Sequence, residues 1–174
     1  MLNNFPMNFK STDMAMTPAS NKLLGEGNGK LLRKEGIETF HTFVAKSLFL
    51  CKRARPDIQP TVAILATRVQ RLNKQDWEKL VRLMKYLNGT QKYHLTLSID
   101  TMGIIKWFVD SSFAVHPNFK SHSGGSMTIE TGAVISSSMK RKLNTTSSTE
   151  VKVVSVSDLA PKIFLMKLFI EAQG

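Results

Sequence analysis

The apolar positions change period twice along the chain. From residue 35, Phe40, Phe43, Val44, Ser47, Leu48 and Cys51 recur at helical spacing and predict an amphipathic helix. Lys52, Arg53 and Arg55 lie at its C-terminal end, where cations suit the helix dipole, and Pro56 stops it. Pro56 and Pro60 suit the start of a second helix, with Ile58, Val62, Leu65 and Val69 on its face. Asn73 reads as the N-cap of a third. Its apolar face is Trp77, Leu80, Val81, Met84 and Leu87, and Gly89 ends it. After residue 92 the period becomes two. Leu95, Leu97 and Ile99 alternate with polar residues and predict a strand over 93–100. A turn at Met102-Gly103 leads to a second strand-like run, 104–115. The loop HPNFKSHSGG follows, with Gly124-Gly125 as its turn residues. Then 125–130 and 133–140 predict a hairpin around Thr131-Gly132. The helical period returns at Ser147 and runs to about Gln173. Ser147-x-x-Glu150 is a capping box, and Pro161 should kink or split the helix. Residues 1–33 are rich in Asn, Ser, Thr, Gly and Pro. They read as a connector, poorly ordered unless something packs on it, with GEGNG (25–29) as a flexible turn.

Composition narrows the class. Apolar residues make up 42% of the 174, enough to bury a core. Lys and Arg total 24 against 13 Asp and Glu, a net charge of +11 that favours polyanion partners. The excess is concentrated. Lys52, Arg53, Arg55, Arg68, Arg71 and Lys74 lie on or near the helices, and Lys140, Arg141 and Lys142 form a second cluster. Both groups are candidate contacts to a nucleic-acid backbone; solvated helix faces are the alternative. No apolar run reaches the roughly 18 residues of a membrane span, and the N-terminus lacks a secretory pattern. The single Cys51 excludes an intrachain disulfide.

Asp110 stands inside a hydrophobic run, after Trp107, Phe108 and Val109, where a carboxylate needs a cation or metal partner unless it faces water. His94, His116 and His122 with Cys51 have no zinc-ligand spacing, and His116 and His122 read as polar surface residues of a loop. Ser111, Ser112 and the serine run 136–138 have no accompanying His/Asp pattern that would suggest a nucleophile. Trp77 and Trp107 fit core positions.

WFVDSSFAVHP (107–117), SHSGGSMT (121–128), a strand ending in KRKLNT (140–145) and SSTE (147–150) opening a helix resemble the ribonuclease H domain of Copia-type LTR-retrotransposon polyproteins. Residues 40–69 and 76–90 resemble the helical segment that joins the reverse transcriptase to that domain in the same polyproteins. The resemblance implies an α+β chain in three parts. Residues 1–33 are a connector and 34–92 a helical connection or thumb-like segment. Residues 93–174 are a partial ribonuclease H-like fold, antiparallel strands then a long helix, truncated at the C-terminus. It also implies a role in copying element RNA into DNA and hydrolysing the RNA strand of the RNA–DNA hybrid, by clustered carboxylates that hold magnesium. Asp110 matches the first family aspartate, a remnant catalytic and metal-binding residue. The family's second acidic position on the helix is Lys152 here, which would repel metal and pair with Asp110 instead. The later aspartates would fall beyond Gly174, and Asp158 reads as a surface residue or a partner for a nearby lysine. The polymerase's paired aspartates match nothing in the chain.

The expectation is therefore a Pol polyprotein fragment that is catalytically inactive and binds no magnesium itself. Its partners would be an RNA–DNA hybrid or other nucleic-acid backbone and the remainder of the polyprotein, with no membrane. Its place, by the resemblance alone, is the cytoplasm or nucleus. The alternatives are a nucleic-acid-binding module without sequence preference, or an inert translated relic.

Overall fold

Phe40, Phe43, Val44, Ser47 and Cys51 form the buried stripe of the first helix, α1 (Lys34–Arg53). Leu48, placed on that stripe by its spacing, is exposed. The computed structural model describes residues 1–25, 32–70, 72–98 and 104–173, so GEGNG beyond Gly25, Arg71, Ile99 and the Met102-Gly103 turn lie outside the described residues. The contacts of the chain fall into two units, Met1–His94 and Leu95–Gly174.

In the first unit, α1 gives way to a 3-10 turn at Pro56–Ile58 and the short α2 (Gln59–Ala66). Ile58, Val62 and Leu65 are buried as the periodicity requires, but the helix ends at Ala66 and Val69 lies beyond it. The third helix, α3 (Lys74–Gly89), opens on a full capping box. The Asn73 side chain accepts from the Asp76 N–H at 3.0 Å, and the Asp76 carboxylate accepts from the Asn73 N–H at 3.4 Å. Two of the four orphan donors at the helix start are thereby satisfied.

Parts of residues 1–25 pack on the helices. Phe5 is only 4% exposed. Its ring stacks on Phe9 and Trp77 and meets Phe43 edge-on at 4.8 Å. Asn88 donates to the carbonyls of Lys10 and Asp13, and Met14 crosses α3 so closely at Gly89 that a Cβ there would sit 3.0 Å from it. A polar-rich stretch is thus tied down by one aromatic anchor and a few backbone bonds, which composition does not show.

The second unit is a three-stranded antiparallel sheet, β1 (Lys106–Ser112), β2 (His122–Thr128) and β3 (Ile135–Lys140), in the order β1-β2-β3, followed by α4 (Ser148–Glu171). The architecture is α+β, consistent with a partial ribonuclease H-like fold. Of the strand expected over 93–100, residues 93–98 form no ladder beyond an isolated bridge, Ser98 to Thr131. Leu95 and Leu97 alternate, but among the described residues only that bridge pairs the segment with another. β2 starts at His122, three residues before the sequence reading placed it, so Gly124 and Gly125 are strand residues and not a turn. The hairpin turn does fall at Thr131-Gly132, where Gly132 adopts φ +75°.

One sheet face is covered by α4. A Cβ on Gly125 would come 2.4 Å from Leu159 Cδ1, so the glycine is where helix and sheet touch. Ser123 and Ser155 share a 2.7 Å hydrogen bond on the same side. Residues directly paired in an antiparallel sheet share a face. Val109 pairs with Gly125 and Ser111 with Ser123, so Trp107, Val109 and Ser111 lie under the helix. Lys106, Phe108, Asp110 and Ser112 lie on the opposite, open face and are exposed. Pro161 does not split α4, which runs unbroken through it. The bond lost is the one to the Ser157 carbonyl, on an exposed stretch of helix where water can take its place.

Candidate functional site

Asp110 sits mid-strand on β1, paired with Gly124, on the open face. This is the water-facing placement that the sequence left open. Lys152 is exposed on α4, across the sheet, and no ion pair joins the two, which corrects the expected Asp110–Lys152 contact. Glu150 has a capping role. Ser147 Oγ accepts from the Glu150 N–H at 3.1 Å, but the reciprocal arm goes to Thr146, whose N–H and hydroxyl donate to Glu150 Oε2 at 2.6 and 2.7 Å. The Thr146 N–H bond, then the hydroxyl, hold the Glu150 carboxyl below its ordinary value. These residues do not fit the two-metal centre that the resemblance implies. Asp110 faces away from the helix that carries the Glu150/Lys152 pair, and among the described residues no three His, Cys, Asp or Glu side chains gather as a ligand set.

The candidate backbone-binding cations divide by exposure. Lys52, Arg53, Lys74 and Lys142 are exposed, and Arg53 lies over the Phe49 ring at 5.7 Å. Lys140 is half-buried at the end of β3. Arg68, also half-buried, stands 3.8 Å from Asp76. Arg55 and Arg141 are internal. Arg55 holds Asp57 in a fork, with 2.9 and 2.7 Å bonds, and donates to the Thr90 carbonyl and hydroxyl. Arg141 pairs with Asp158 and reaches Ser155 Oγ at 3.3 Å, so the partner of Asp158 is an arginine and not a lysine. Arg71 lies outside the described residues.

Of the two histidines read as surface residues, His116 is buried and His122, the first residue of β2, is half-buried. His116 is 5% exposed. Its Nε2 is 3.1 Å from His122 Nδ1, and His122 Nε2 is 2.7 Å from Ser138 Oγ. Burial, then the charge of Lys140, push the His122 imidazole below its usual value, which favours the neutral ring. The loop that carries His116 is held tightly. Ser121 Oγ accepts from the Ala114 N–H at 3.1 Å, and the Arg141 N–H donates to the Ser121 carbonyl at 2.9 Å. Ala114 and Phe119 take positive φ, 50° and 56°, at roughly 1–2 kcal/mol each. Cys51 is buried and free, and burial pushes its thiol up, away from nucleophile chemistry.

Comparison with known proteins adds one finding. Over 136 residues the chain is 24% identical to the retrovirus-related Pol polyprotein from transposon TNT 1-94 of Nicotiana tabacum. The match covers 78% of this chain and 10% of that polyprotein. The chain is a distant relative of a retrotransposon Pol polyprotein. No family model matches it, and no solved structure does. Among the described residues of this Pol-related chain, no helix is long and apolar enough to cross a membrane.

The His116–His122–Ser138 group escaped the sequence reading because it depends on register. His122 pairs with Lys140 and Gly124 with Ser138, which brings the imidazole diagonally onto the serine. Starting β2 at Gly125 leaves His122 in a loop, where no pairing connects it to β3.

Proposed function

We propose that this chain is a segment of a Copia-type retrotransposon Pol polyprotein, covering the connection after the reverse transcriptase and the first part of the ribonuclease H domain, and that it does not itself hydrolyse RNA. The observation that carries this reading is the 136-residue relationship to a Pol polyprotein. The run of three antiparallel strands into a long helix supports it, as does the position of Asp110 on the first of them. Inactivity follows from the donor set. Among the described residues Asp110 faces water with no second carboxylate gathered beside it and an ammonium, Lys152, in place of the second acid, a set that does not hold two divalent cations for phosphodiester hydrolysis. The test is magnesium-dependent cleavage of an RNA–DNA hybrid by the purified chain. No cleavage above a blank is expected; cleavage that disappears on Asp110→Ala overturns the reading.

The exposed cations Lys52, Arg53, Lys74 and Lys142 favour a second reading, a module that holds a nucleic-acid backbone without sequence preference. A chain that neutralises about four phosphates loses roughly a hundredfold in affinity between about 50 and about 200 mM salt. Titration of a labelled hybrid duplex at the two salt levels measures this. Absence of binding at low salt removes the module and leaves the inert relic.

A further inference from the structure

The open face of the sheet carries an arrangement that the Pol relationship does not use. Ser138 lies on β3 with its hydroxyl 2.7 Å from His122 Nε2, and His122 Nδ1 is 3.1 Å from His116 Nε2. One set of tautomers satisfies all three groups. With Ser138 as donor, His122 Nε2 accepts, its Nδ1 therefore carries hydrogen, and that N–H donates to His116 Nε2. A hydroxyl, a base within hydrogen-bond reach and a buried third group that orients the base are the parts of an activated nucleophile. The surroundings leave room for a substrate. Across the sheet from Ser138 is Gly124, then Asp110, one register row over three strands. A Cβ on Gly124 would meet nothing nearer than the Ser137 carbonyl at 3.7 Å, so the space above it is open. The face also carries Lys140, two residues beyond Ser138, whose charge already acts on His122.

We propose that Ser138, His122 and His116 are the nucleophile, base and positioning residue of an acyl-transfer site that hydrolyses small carboxylic esters lying over Gly124. Ser138 Oγ forms a bond to the acyl carbon while its proton passes to His122 Nε2. The ester C–O bond then breaks, and His122 gives that proton to the departing alkoxide. Water attacks the acyl-serine, its proton goes to His122 and then to Ser138 Oγ, and the acid leaves. Ester and water become acid and alcohol, with no other reactant. The groups beside His122 are His116 from the loop and Lys140 from β3; on β1 its direct pair is Ser112, and Asp110 lies one row along the same face.

The serine run supplies internal controls. Ser137 lies on the other face, donating to the Gly125 carbonyl at 3.3 Å, and shares chain context with Ser138 but not the imidazole. The full chain is treated with a fluorophosphonate and the adducts are located by peptide mass spectrometry. Modification at Ser138 is expected at least tenfold faster than at Ser137, and to fall about a hundredfold in His122→Gln, the usual scale for loss of a general base. His116→Gln should move the pH midpoint of labelling, which a merely structural bond would leave in place. Equal labelling of Ser137 and Ser138, or an unchanged rate in a His122→Gln chain that keeps its melting transition, overturns the proposal. If His122→Gln fails to fold, Ser138→Cys and Ser137→Cys are compared for alkylation by iodoacetamide. A thiol beside the imidazole should react at least tenfold faster; equal rates sink the assignment.

Discussion

The guanidinium of Arg55 joins three pieces of the helical unit. It grips Asp57 in the 3-10 turn, donates to Thr90 at the end of α3, and lies over the Tyr86 ring at 5.4 Å. Arg55→Met keeps the stem and removes every donor. It should cost roughly 2 kcal/mol in urea unfolding, because the Thr90 carbonyl loses a partner while the partly open Asp57 regains water. Burial alone would raise the Asp57 carboxyl, but hydrogen bonds from Arg55 and Tyr86 outweigh it and hold it low. The His122 imidazole is also low, first through burial. For both groups the unfolded chain binds more protons than the folded one as pH falls, so acid destabilises. The His122 contribution is complete above about pH 6.5 and declines below it; that of Asp57 declines only below about pH 4. Unfolding midpoints across pH should therefore fall in two stages, with His122→Gln flattening the upper and Asp57→Asn the lower. Residue identity was legible where one residue type suffices: the Asn73 cap and the Ser147 acceptor need only a local oxygen. It was not legible for Arg55 and Arg141. A cation that binds phosphate and one that holds a buried carboxylate look alike until its neighbours are known.

At the scale of elements, periodicity located α1 and α3 well and the strands less well. A helix carries its own hydrogen bonds, whereas a strand exists only through its neighbour, and among the described residues 93–98 has a single bridge, Ser98 to Thr131. Asn73→Ala should remove about 1 kcal/mol by opening the capping box, measurable as a lowered thermal midpoint. Gly125 tests the seating of α4 on the sheet. Gly125→Ala drives a methyl into Leu159 and should destabilise by roughly 1–3 kcal/mol. Paired with Leu159→Val, which withdraws carbon from the contact, the cost should be partly recovered. A double-mutant cycle with no coupling would mean that the helix does not rest there.

Over the whole molecule, charge and apolar surface are distributed in different ways. The first unit has a closed aromatic and aliphatic core from Phe5 to Leu87. In the second, α4 is apolar on two sides. Val151, Ser155 and Leu159 face the sheet, while Val156, Phe164 and Leu168 project from the other side, Phe164 with 63% of its surface open. An apolar helix face is ordinarily a covered one, and among the described residues only one side of α4 is covered. The practical result concerns handling at the bench. Despite its net charge of +11, the protein should be retained on a phenyl matrix and form salt-promoted aggregates, since added sulfate screens the repulsion and strengthens apolar contact. Exchanging Phe164 and Leu168 for glutamine should weaken its retention on the matrix and leave its melting temperature where it was, because neither side chain is holding the fold.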